Sequence, residues 1–244
     1  MLPSITRRMS PSPDQPSLLS EQVDYYRARA AEYDEWFLRE GRYFRGEDHR
    51  RQWLAELGSI RQVLLDAAPL GDTLELACGT GQWTGTLATV ASSVHAVDAV
   101  AETIELNRRK HPDANIEFAV ADLFDWEPPR RYGAIFFGFW LSHVPDDEFD
   151  RFWDLLDSAL LPGGRVFFVD SLKAQRSTAR DHRALDDSGV VERRLNSGKS
   201  FRIVKHFHEP EALRGRLATL GWEGEVRSTG EFFYLGRVRR SRAQ

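Results

Sequence analysis

The chain has little of several features that would narrow its class at once. Only one of its 244 residues is a cysteine, which excludes an intramolecular disulfide and predicts a reducing, cytoplasmic compartment. No apolar run approaches the roughly 20 residues of a membrane-spanning helix. The formal net charge of −4 provides no overall basic field for nucleic acid. No His, Cys and carboxylate cluster has a familiar ligand spacing, so we predict no metal site.

The composition is that of one ordinary globular domain. Apolar residues make up 41% of the chain and charged residues 29%, which is typical of soluble proteins. The length suits a single α/β domain. Residues 1–17 are rich in proline and serine and are predicted to form a disordered tail. We therefore predict one domain over residues 18–244.

The pattern of apolar residues changes twice along the chain. Residues 18–68 contain two helical segments, separated by the glycine-punctuated stretch GRYFRG. Short apolar strands then alternate with helices, which indicates βαβ units and a parallel sheet covered on both faces. Residues 190–208 alternate around the turn NSGK and predict a β-hairpin. A helix and two antiparallel strands are expected to follow.

The segment LELACGTGQW joins a predicted strand to a helix through a G-x-G turn at Gly79 and Gly81. Glycine has no Cβ, so such a turn lets backbone approach a ligand closely, and the helix that follows offers free N–H groups. The third glycine of the pyrophosphate-binding fingerprint is replaced by Thr84. Glu75 is a carboxylate inside a buried strand, where it needs a partner such as a cationic amine or a loop N–H.

Two further acids end the next two predicted strands. Asp98 stands where an acid accepts hydrogen bonds from a ribose diol, and Asp122 stands where it could read an adenine amino group. Open α/β sheets bind their ligands at the carboxyl ends of the strands, so these acids should lie near the glycine turn. Together they predict a cofactor that carries adenosine but no pyrophosphate.

These motifs resemble those of class I S-adenosylmethionine-dependent methyltransferases. LELACGTGQWT is similar to the family's first motif, VHAVDA and AVADLFDW to its ribose and adenine segments, and LLPGGRVFFVD to a later helix-to-strand segment. The resemblance covers roughly residues 18–237 and implies a seven-stranded, mostly parallel Rossmann-like sheet with helices on both faces. It also implies that residues 18–68 form a helical lid over the cofactor, as in small-molecule members, and that residues 190–208 are an inserted hairpin.

The resemblance implies S-adenosyl-L-methionine as the cofactor. The residues expected to bind it are Tyr26, Arg29, Tyr33, Glu75, Ala77, Cys78, Gly79, Gly81, Asp98, Ala99, Asp122, Leu123 and Phe139, with Arg29 facing the cofactor carboxylate. Trp36 and Trp140 are expected to contact the substrate. His143 follows the fourth strand and is the expected base if the acceptor loses a proton; the alternative is a structural, helix-capping histidine.

The resulting hypothesis is an enzyme that methylates an N, O or C atom of a small, aromatic or apolar metabolite by in-line displacement. We expect a role in specialised metabolism, a monomer or homodimer, and neither a nucleic-acid nor a membrane partner. Two alternatives stay open at this point. One is a nicotinamide-dependent oxidoreductase on the same kind of sheet, against which Thr84 counts. The other is a non-catalytic protein that binds the cofactor.

Overall fold

The computed structural model describes residues 17–112 and 115–241, so the predicted tail lies outside the described residues except for Ser17. The α-helices are α1 (Leu18–Arg29), α2 (Tyr33–Leu38), α3 (Glu47–Asp66), α4 (Thr84–Val90), α5 (Ala101–Lys110), α6 (Phe149–Ala159) and α7 (Pro210–Thr219). The strands are β1 (Asp72–Leu76), β2 (Ser93–Asp98), β3 (Ile116–Val120), β4 (Tyr132–Gly138), β5 (Leu160–Ser171), β6 (Val190–Arg194), β7 (Ser200–Val204), β8 (Trp222–Ser228) and β9 (Phe233–Arg240). Within these ranges no helix is both long and apolar enough to cross a bilayer.

Seven of the strands form one sheet in the order β3-β2-β1-β4-β5-β9-β8. Strands β1 to β5 pair in parallel, whereas β9 runs antiparallel to both of its neighbours. The predicted seven-stranded, mostly parallel Rossmann-like sheet is therefore confirmed. The strand order changes direction between the central strands β1 and β4. This is the topological switch point, and open α/β sheets bind ligands at the carboxyl ends of the strands there.

The inner strands of this sheet are apolar on both faces because helices cover both. Successive side chains of a strand point to opposite faces, and in β4 Phe136 and Phe137 belong to different core clusters. Phe137 packs with Trp153 of α6 in one cluster. Phe136 lies in the other cluster with Trp53 of α3 and Leu87 of α4. The expected layers of helix, sheet and helix are present.

The N-terminal helical segment differs from the sequence-based expectation in two ways. The stretch EQVDYYRARAAEYDEWFLRE was expected to form one helix, but a 3₁₀ turn at Ala30–Glu32 separates α1 from α2. Helix α3 packs into the core against α4, so the helices that border the cavities described below are α1 and α2. The extent of the lid within residues 18–68 stays a prediction.

The hairpin predicted within residues 190–208 is present as β6 and β7, which pair antiparallel in a separate two-stranded sheet. Helix α1 lies against β7. A hydrogen bond joins α1 to β7: the side-chain oxygen of Gln22 on α1 accepts the N–H of Val204 on β7 at 3.0 Å. The hairpin thus holds the first helix of the chain over the carboxyl edge of the main sheet.

One buried carboxylate joins α3 to the turn between β8 and β9. Glu56 is 7% exposed. It accepts hydrogen bonds from the Glu231 N–H (2.9 Å), the Phe232 N–H (3.1 Å) and the Thr229 hydroxyl (2.9 Å). Because these donors are partly or fully buried, water cannot readily replace the carboxylate.

Replacing Glu56 by alanine should therefore lower the free energy of unfolding by about 2–4 kcal/mol, since two backbone donors and one hydroxyl lose their acceptor. Urea unfolding of the wild type and Glu56→Ala would measure the difference. Asp48→Ala is a matched control, because the Asp48 carboxylate on the same helix is 96% exposed. Equal unfolding midpoints for the two variants would contradict the anchoring role.

Candidate active site

Two adjoining cavities lie at the carboxyl edge of the parallel strands. The strand-end cavity, of about 810 Å³ including the space open to solvent, is bordered by the loops that follow β1, β2, β3 and β4 and by α1. The arginine cavity, of about 580 Å³ on the same measure, lies beneath α1, α2 and the hairpin and is lined by Arg29 and Arg193. Four side chains line both cavities and form what we term the shared wall: Tyr26, Tyr33, Phe139 and His143.

The two glycines of the G-x-G turn have different roles. Gly79 has a φ of +52° and borders the strand-end cavity, and a Cβ placed on it would meet nothing within 4 Å. Gly81 has a φ of +89°, and a Cβ there would clash with Asn107 Oδ1 on α5. Gly79 therefore leaves room for a ligand beside the backbone, whereas Gly81 allows the turn to pack on α5.

Asp98 is held at the mouth of the strand-end cavity by three donors. Its Oδ2 accepts the Gly79 N–H at 2.8 Å, and its Oδ1 accepts the Val100 N–H at 2.9 Å and the Thr103 hydroxyl at 3.1 Å. Burial raises the pKa of Asp98, and these hydrogen bonds oppose the increase. A carboxylate has about four lone-pair positions, and three of them are used here, so this fixed group can still accept one bond from a ribose diol.

The far end of the strand-end cavity suits a flat base. Asp122 follows β3 and accepts the Phe124 N–H on Oδ1 at 3.0 Å, while Oδ2 has no hydrogen-bond donor within residues 17–112 and 115–241. Leu123 lines the cavity beside it, and the rings of Phe124 and Trp140 lie 5.5 Å apart on its border. One free acceptor oxygen among apolar and aromatic side chains is suited to an adenine amino group and ring.

Two residues other than glycine adopt left-handed backbone conformations at this site. Ala77 follows β1 with a φ of +51°, and Phe139 follows β4 with a φ of +59°. Such conformations are unfavourable for residues that have a Cβ, and they concentrate at functional sites. Both residues border the strand-end cavity, and nothing in the sequence pattern indicated their conformation.

Three of the expected cofactor contacts, Glu75, Cys78 and Gly81, do not border either cavity. Glu75 is 1% exposed inside β1, and its Oε2 has no hydrogen-bond partner in the described part of the chain. Burial raises the pKa of Glu75 to about 8. Burial also raises the pKa of the Cys78 thiol, which makes a reactive thiolate unfavourable.

His143 lies in the shared wall with both of its ring nitrogens engaged. Nδ1 is 2.7 Å from the Val204 carbonyl oxygen, and Nε2 is 2.7 Å from the Tyr26 hydroxyl. Burial, assisted by the positive charge of Lys205, lowers the pKa of His143 to about 3. The imidazole is therefore neutral at ordinary pH. Tyr26 and Val204 are far from His143 in sequence, so this arrangement had no signal in the sequence pattern.

The arginine cavity contains more positive than negative charge. Arg29 is 9% exposed; its guanidinium lies 4.9 Å from the centre of the Tyr33 ring and donates to the Tyr43 hydroxyl at 3.4 Å. Among the described residues neither Arg29 nor Arg193 forms an ion pair with a carboxylate. Lys205 does have such a partner, since its Nζ lies 3.5 Å from Asp170 Oδ1.

The structure thus divides the predicted site residues between two cavities. The strand-end cavity brings together Tyr26, Tyr33, Ala77, Gly79, Asp98, Ala99, Asp122, Leu123, Phe139, Trp140 and His143. Arg29 and Trp36 line the arginine cavity instead. Sequence reasoning did not select Arg193 and Lys205, because alternating basic residues in a hairpin are usually solvated. The assignment of each residue to cofactor or substrate stays a prediction.

The fold and the strand-end cavity define an α/β protein that binds an adenosine-bearing cofactor at the carboxyl edge of its sheet. The open backbone at Gly79, the fixed carboxylate of Asp98 and the apolar border near Asp122 all fit such a group. Comparison with known proteins identifies the family. A methyltransferase domain family model matches residues 73–164.

Solved structures of DhpI are similar over almost the whole chain. The DhpI–SAH complex is 39% identical, with a TM-score of 0.76, and the match covers 93% of this chain and 98% of that one. The DhpI–SAM–HEP complex has the same identity and TM-score, with coverage of 92% and 99%. An uncharacterized methyltransferase from Bacillus cytotoxicus is 24% identical over 57% of this chain and 66% of its own length, just under two thirds.

The chain belongs to the class I S-adenosylmethionine-dependent methyltransferases. S-adenosylmethionine is its cofactor, as the resemblance of the sequence motifs implied. The two alternatives, a nicotinamide-dependent oxidoreductase and a non-catalytic binding protein, receive no support from these similarities. The acceptor of the methyl group is a separate question.

Replacing Asp98 by alanine should weaken binding of S-adenosylhomocysteine by about 10- to 100-fold, because a charge-assisted hydrogen bond to the ribose is lost. Isothermal titration calorimetry would measure the affinity. Glu105→Ala, which removes an exposed carboxylate from α5, is the control. An unchanged affinity for Asp98→Ala would show that Asp98 does not hold the ribose.

Glu75 provides a test by pH. The buried carboxyl keeps its proton up to about pH 8, whereas in the unfolded chain it ionises near pH 4.5. Between these values unfolding releases a proton, so this group makes stability fall as pH rises. Glu75→Gln lacks that group. In urea unfolding of the cofactor-free proteins, the free energy of unfolding of Glu75→Gln should equal that of the wild type near pH 4.5. From there to pH 8 it should exceed the wild-type value by a growing margin. Parallel pH profiles would contradict the raised pKa.

Proposed function

We propose that the protein transfers a methyl group from S-adenosylmethionine in the strand-end cavity to a small anionic acceptor in the arginine cavity. The proposal rests on the absence of carboxylate partners for Arg29 and Arg193 among the described residues. Charged groups inside proteins are normally paired, because burying an unpaired charge costs several kcal/mol. An anionic ligand would supply the missing charges.

The remaining titratable groups of the cavity do not cancel the two guanidinium charges. Asp170 is already offset by Lys205. His143 is neutral for the reasons given above. Burial likewise lowers the pKa of His182 to about 4, so this side chain is neutral as well. The cavity therefore carries close to two uncompensated positive charges.

The neutral groups of the cavity are also suited to an oxyanion. Tyr25 and Tyr43 line it, and the buried Tyr25 hydroxyl has no hydrogen-bond partner within the described residues. Two guanidinium groups and phenol donors match a carboxylate, phosphate or phosphonate group. This chemistry favours a polar, anionic acceptor over the aromatic or apolar one expected from the sequence.

The shared wall is where the reaction would take place. S-adenosylmethionine supplies an electrophilic methyl group on a positively charged sulfur. Phe139 and Tyr33 of the wall offer aromatic faces, which attract such a cation. Arg29 and Arg193 would hold the anionic end of the acceptor so that its nucleophilic atom meets the methyl group in line. The cover formed by α1 and the hairpin would exclude water during the displacement.

The DhpI structures, at 39% identity, support a site that holds a further ligand together with the cofactor. One of the complexes contains both SAM and HEP. The methylated atom, the oligomeric state, the cytoplasmic location and the role in specialised metabolism stay predictions.

The experiment is a screen for release of S-adenosylhomocysteine with HEP and with small phosphate monoesters, phosphonates and dicarboxylates as acceptors. For an active compound, Arg193→Gln should raise KM by about 10- to 100-fold, because one charge-assisted contact is lost. Arg193→Lys should recover part of the loss. Affinity for S-adenosylhomocysteine should hardly change, since Arg193 borders only the arginine cavity.

Arg51→Gln is the control, because the Arg51 side chain is 75% exposed on α3. The same measurements on Arg29→Gln decide which ligand Arg29 serves. If only the KM of the acceptor rises, Arg29 binds the acceptor. If cofactor binding becomes weaker, Arg29 binds the cofactor carboxylate, as expected from the sequence. Turnover of neutral but not anionic acceptors, or an unchanged KM in Arg193→Gln, would refute the anionic acceptor.

A further inference from the structure

The hydrogen bonds of His143 determine which atom carries each proton in the shared wall. The Val204 carbonyl can only accept, so the Nδ1 of His143, 2.7 Å away, must carry a hydrogen. A neutral imidazole carries one ring hydrogen, which leaves Nε2 as an acceptor. The Tyr26 hydroxyl, 2.7 Å from Nε2, must then be the donor in that pair.

This assignment leaves the Tyr26 oxygen with lone pairs only. A phenol has a single hydrogen, and Tyr26 donates it to Nε2 of His143. Tyr26 lines both cavities, so its oxygen lies on the boundary that the methyl group must cross. From there it can accept a hydrogen bond but cannot donate one.

The surrounding contacts keep the pair in place. Gln22, one turn before Tyr26 on α1, donates from its side-chain nitrogen to the His143 carbonyl at 3.3 Å and accepts the Val204 N–H on its side-chain oxygen at 3.0 Å. Helix α1, strand β7 and the turn after β4 are thereby joined at one point. The ring of Tyr26 also packs edge-on against the imidazole, with 5.5 Å between ring centres.

We propose that Tyr26 is a catalytic residue that accepts a hydrogen bond from the acceptor's nucleophilic group, and that His143 is a positioning residue rather than a base. This inference rests on the function proposed above. The bond from nucleophile to Tyr26 directs the lone pair of the nucleophile at the methyl carbon. Tyr26 keeps its own hydrogen on the side of His143 throughout the displacement.

The same geometry restricts the nucleophile. Because the shared wall contains no base, the attacking atom must already have an available lone pair. The same group must also carry a hydrogen, since it donates a hydrogen bond to the Tyr26 oxygen. A neutral amine and a half-ionised oxyacid meet both conditions. The new bond forms to the methyl carbon, the carbon–sulfur bond breaks with its electron pair left on sulfur, and any surplus proton then passes to water.

Three variants separate a positioning role from a base. Tyr26→Phe removes the acceptor oxygen, His143→Leu removes the partner of Tyr26, and His143→Gln keeps an amide oxygen that can accept from Tyr26 but cannot serve as a base. Tyr234→Phe is the control, because it removes a buried hydroxyl that has no partner in the described residues and lines neither cavity. Melting temperature and S-adenosylhomocysteine affinity would be measured for each variant.

With an acceptor found in the screen, Tyr26→Phe and His143→Leu should each lower kcat by roughly 100-fold, the usual order for one positioned hydrogen-bonding group. His143→Gln should stay within about tenfold of the wild type, since the hydrogen of Tyr26 is still accepted. A kcat for His143→Gln as low as that of His143→Leu, with folding and cofactor affinity intact, would make His143 the base. An unchanged kcat in Tyr26→Phe would refute the role of Tyr26.

Nitrogen-15 NMR of the S-adenosylhomocysteine complex tests the proton assignment without an acceptor. His143 should show a protonated Nδ1 and an unprotonated Nε2, and the Nε2 signal should shift in Tyr26→Phe. A protonated Nε2 or a charged imidazole at neutral pH would overturn the assignment. If instead no compound in the screen is turned over while the NMR result holds, the proposed function fails and the assignment of the pair does not.

Discussion

The hydrogen bond from the Gly79 N–H to the Asp98 carboxylate joins the turn after β1 to the end of β2, and the cofactor side of the site depends on it. It fixes the carboxylate at 2.8 Å from a backbone segment that leaves space for a ligand. Gly81 lets the same turn pack on α5, and Ala77 accepts a left-handed conformation to enter it. The parallel pairing of β1 with β2 makes this arrangement possible, because both strands end at the same edge.

The arginine cavity is built differently. Its groups come from α1, α2, the turn after β4 and the hairpin, and not from the strand ends alone. Two arginines that have no carboxylate partner among the described residues would be costly in a closed protein core. Their presence beside the shared wall is easier to explain if an anionic ligand completes the charges. The wall then separates a cationic cofactor from a bound anion by a few side chains.

Much of the fold could be predicted because it is encoded by short-range patterns. Alternating strands and helices, the hairpin turn NSGK and the G-x-G motif each occupy only a few consecutive residues. Details set by packing were not visible. The expected single N-terminal helix is interrupted by a 3₁₀ turn at Ala30–Glu32.

By itself the sequence determined the sheet and the position of Asp98, since each follows from periodicity or from a short motif, and the resemblance of its motifs to a known family implied the cofactor. Only the tertiary structure decided that Tyr26 donates to His143, that Val204 sets the proton on the imidazole, and that Arg29 faces the same cavity as Arg193. These residues lie far apart in the sequence, and their charge states depend on burial and on neighbours. Proton positions and uncompensated charge are properties of a packed site, which no local pattern of residues records.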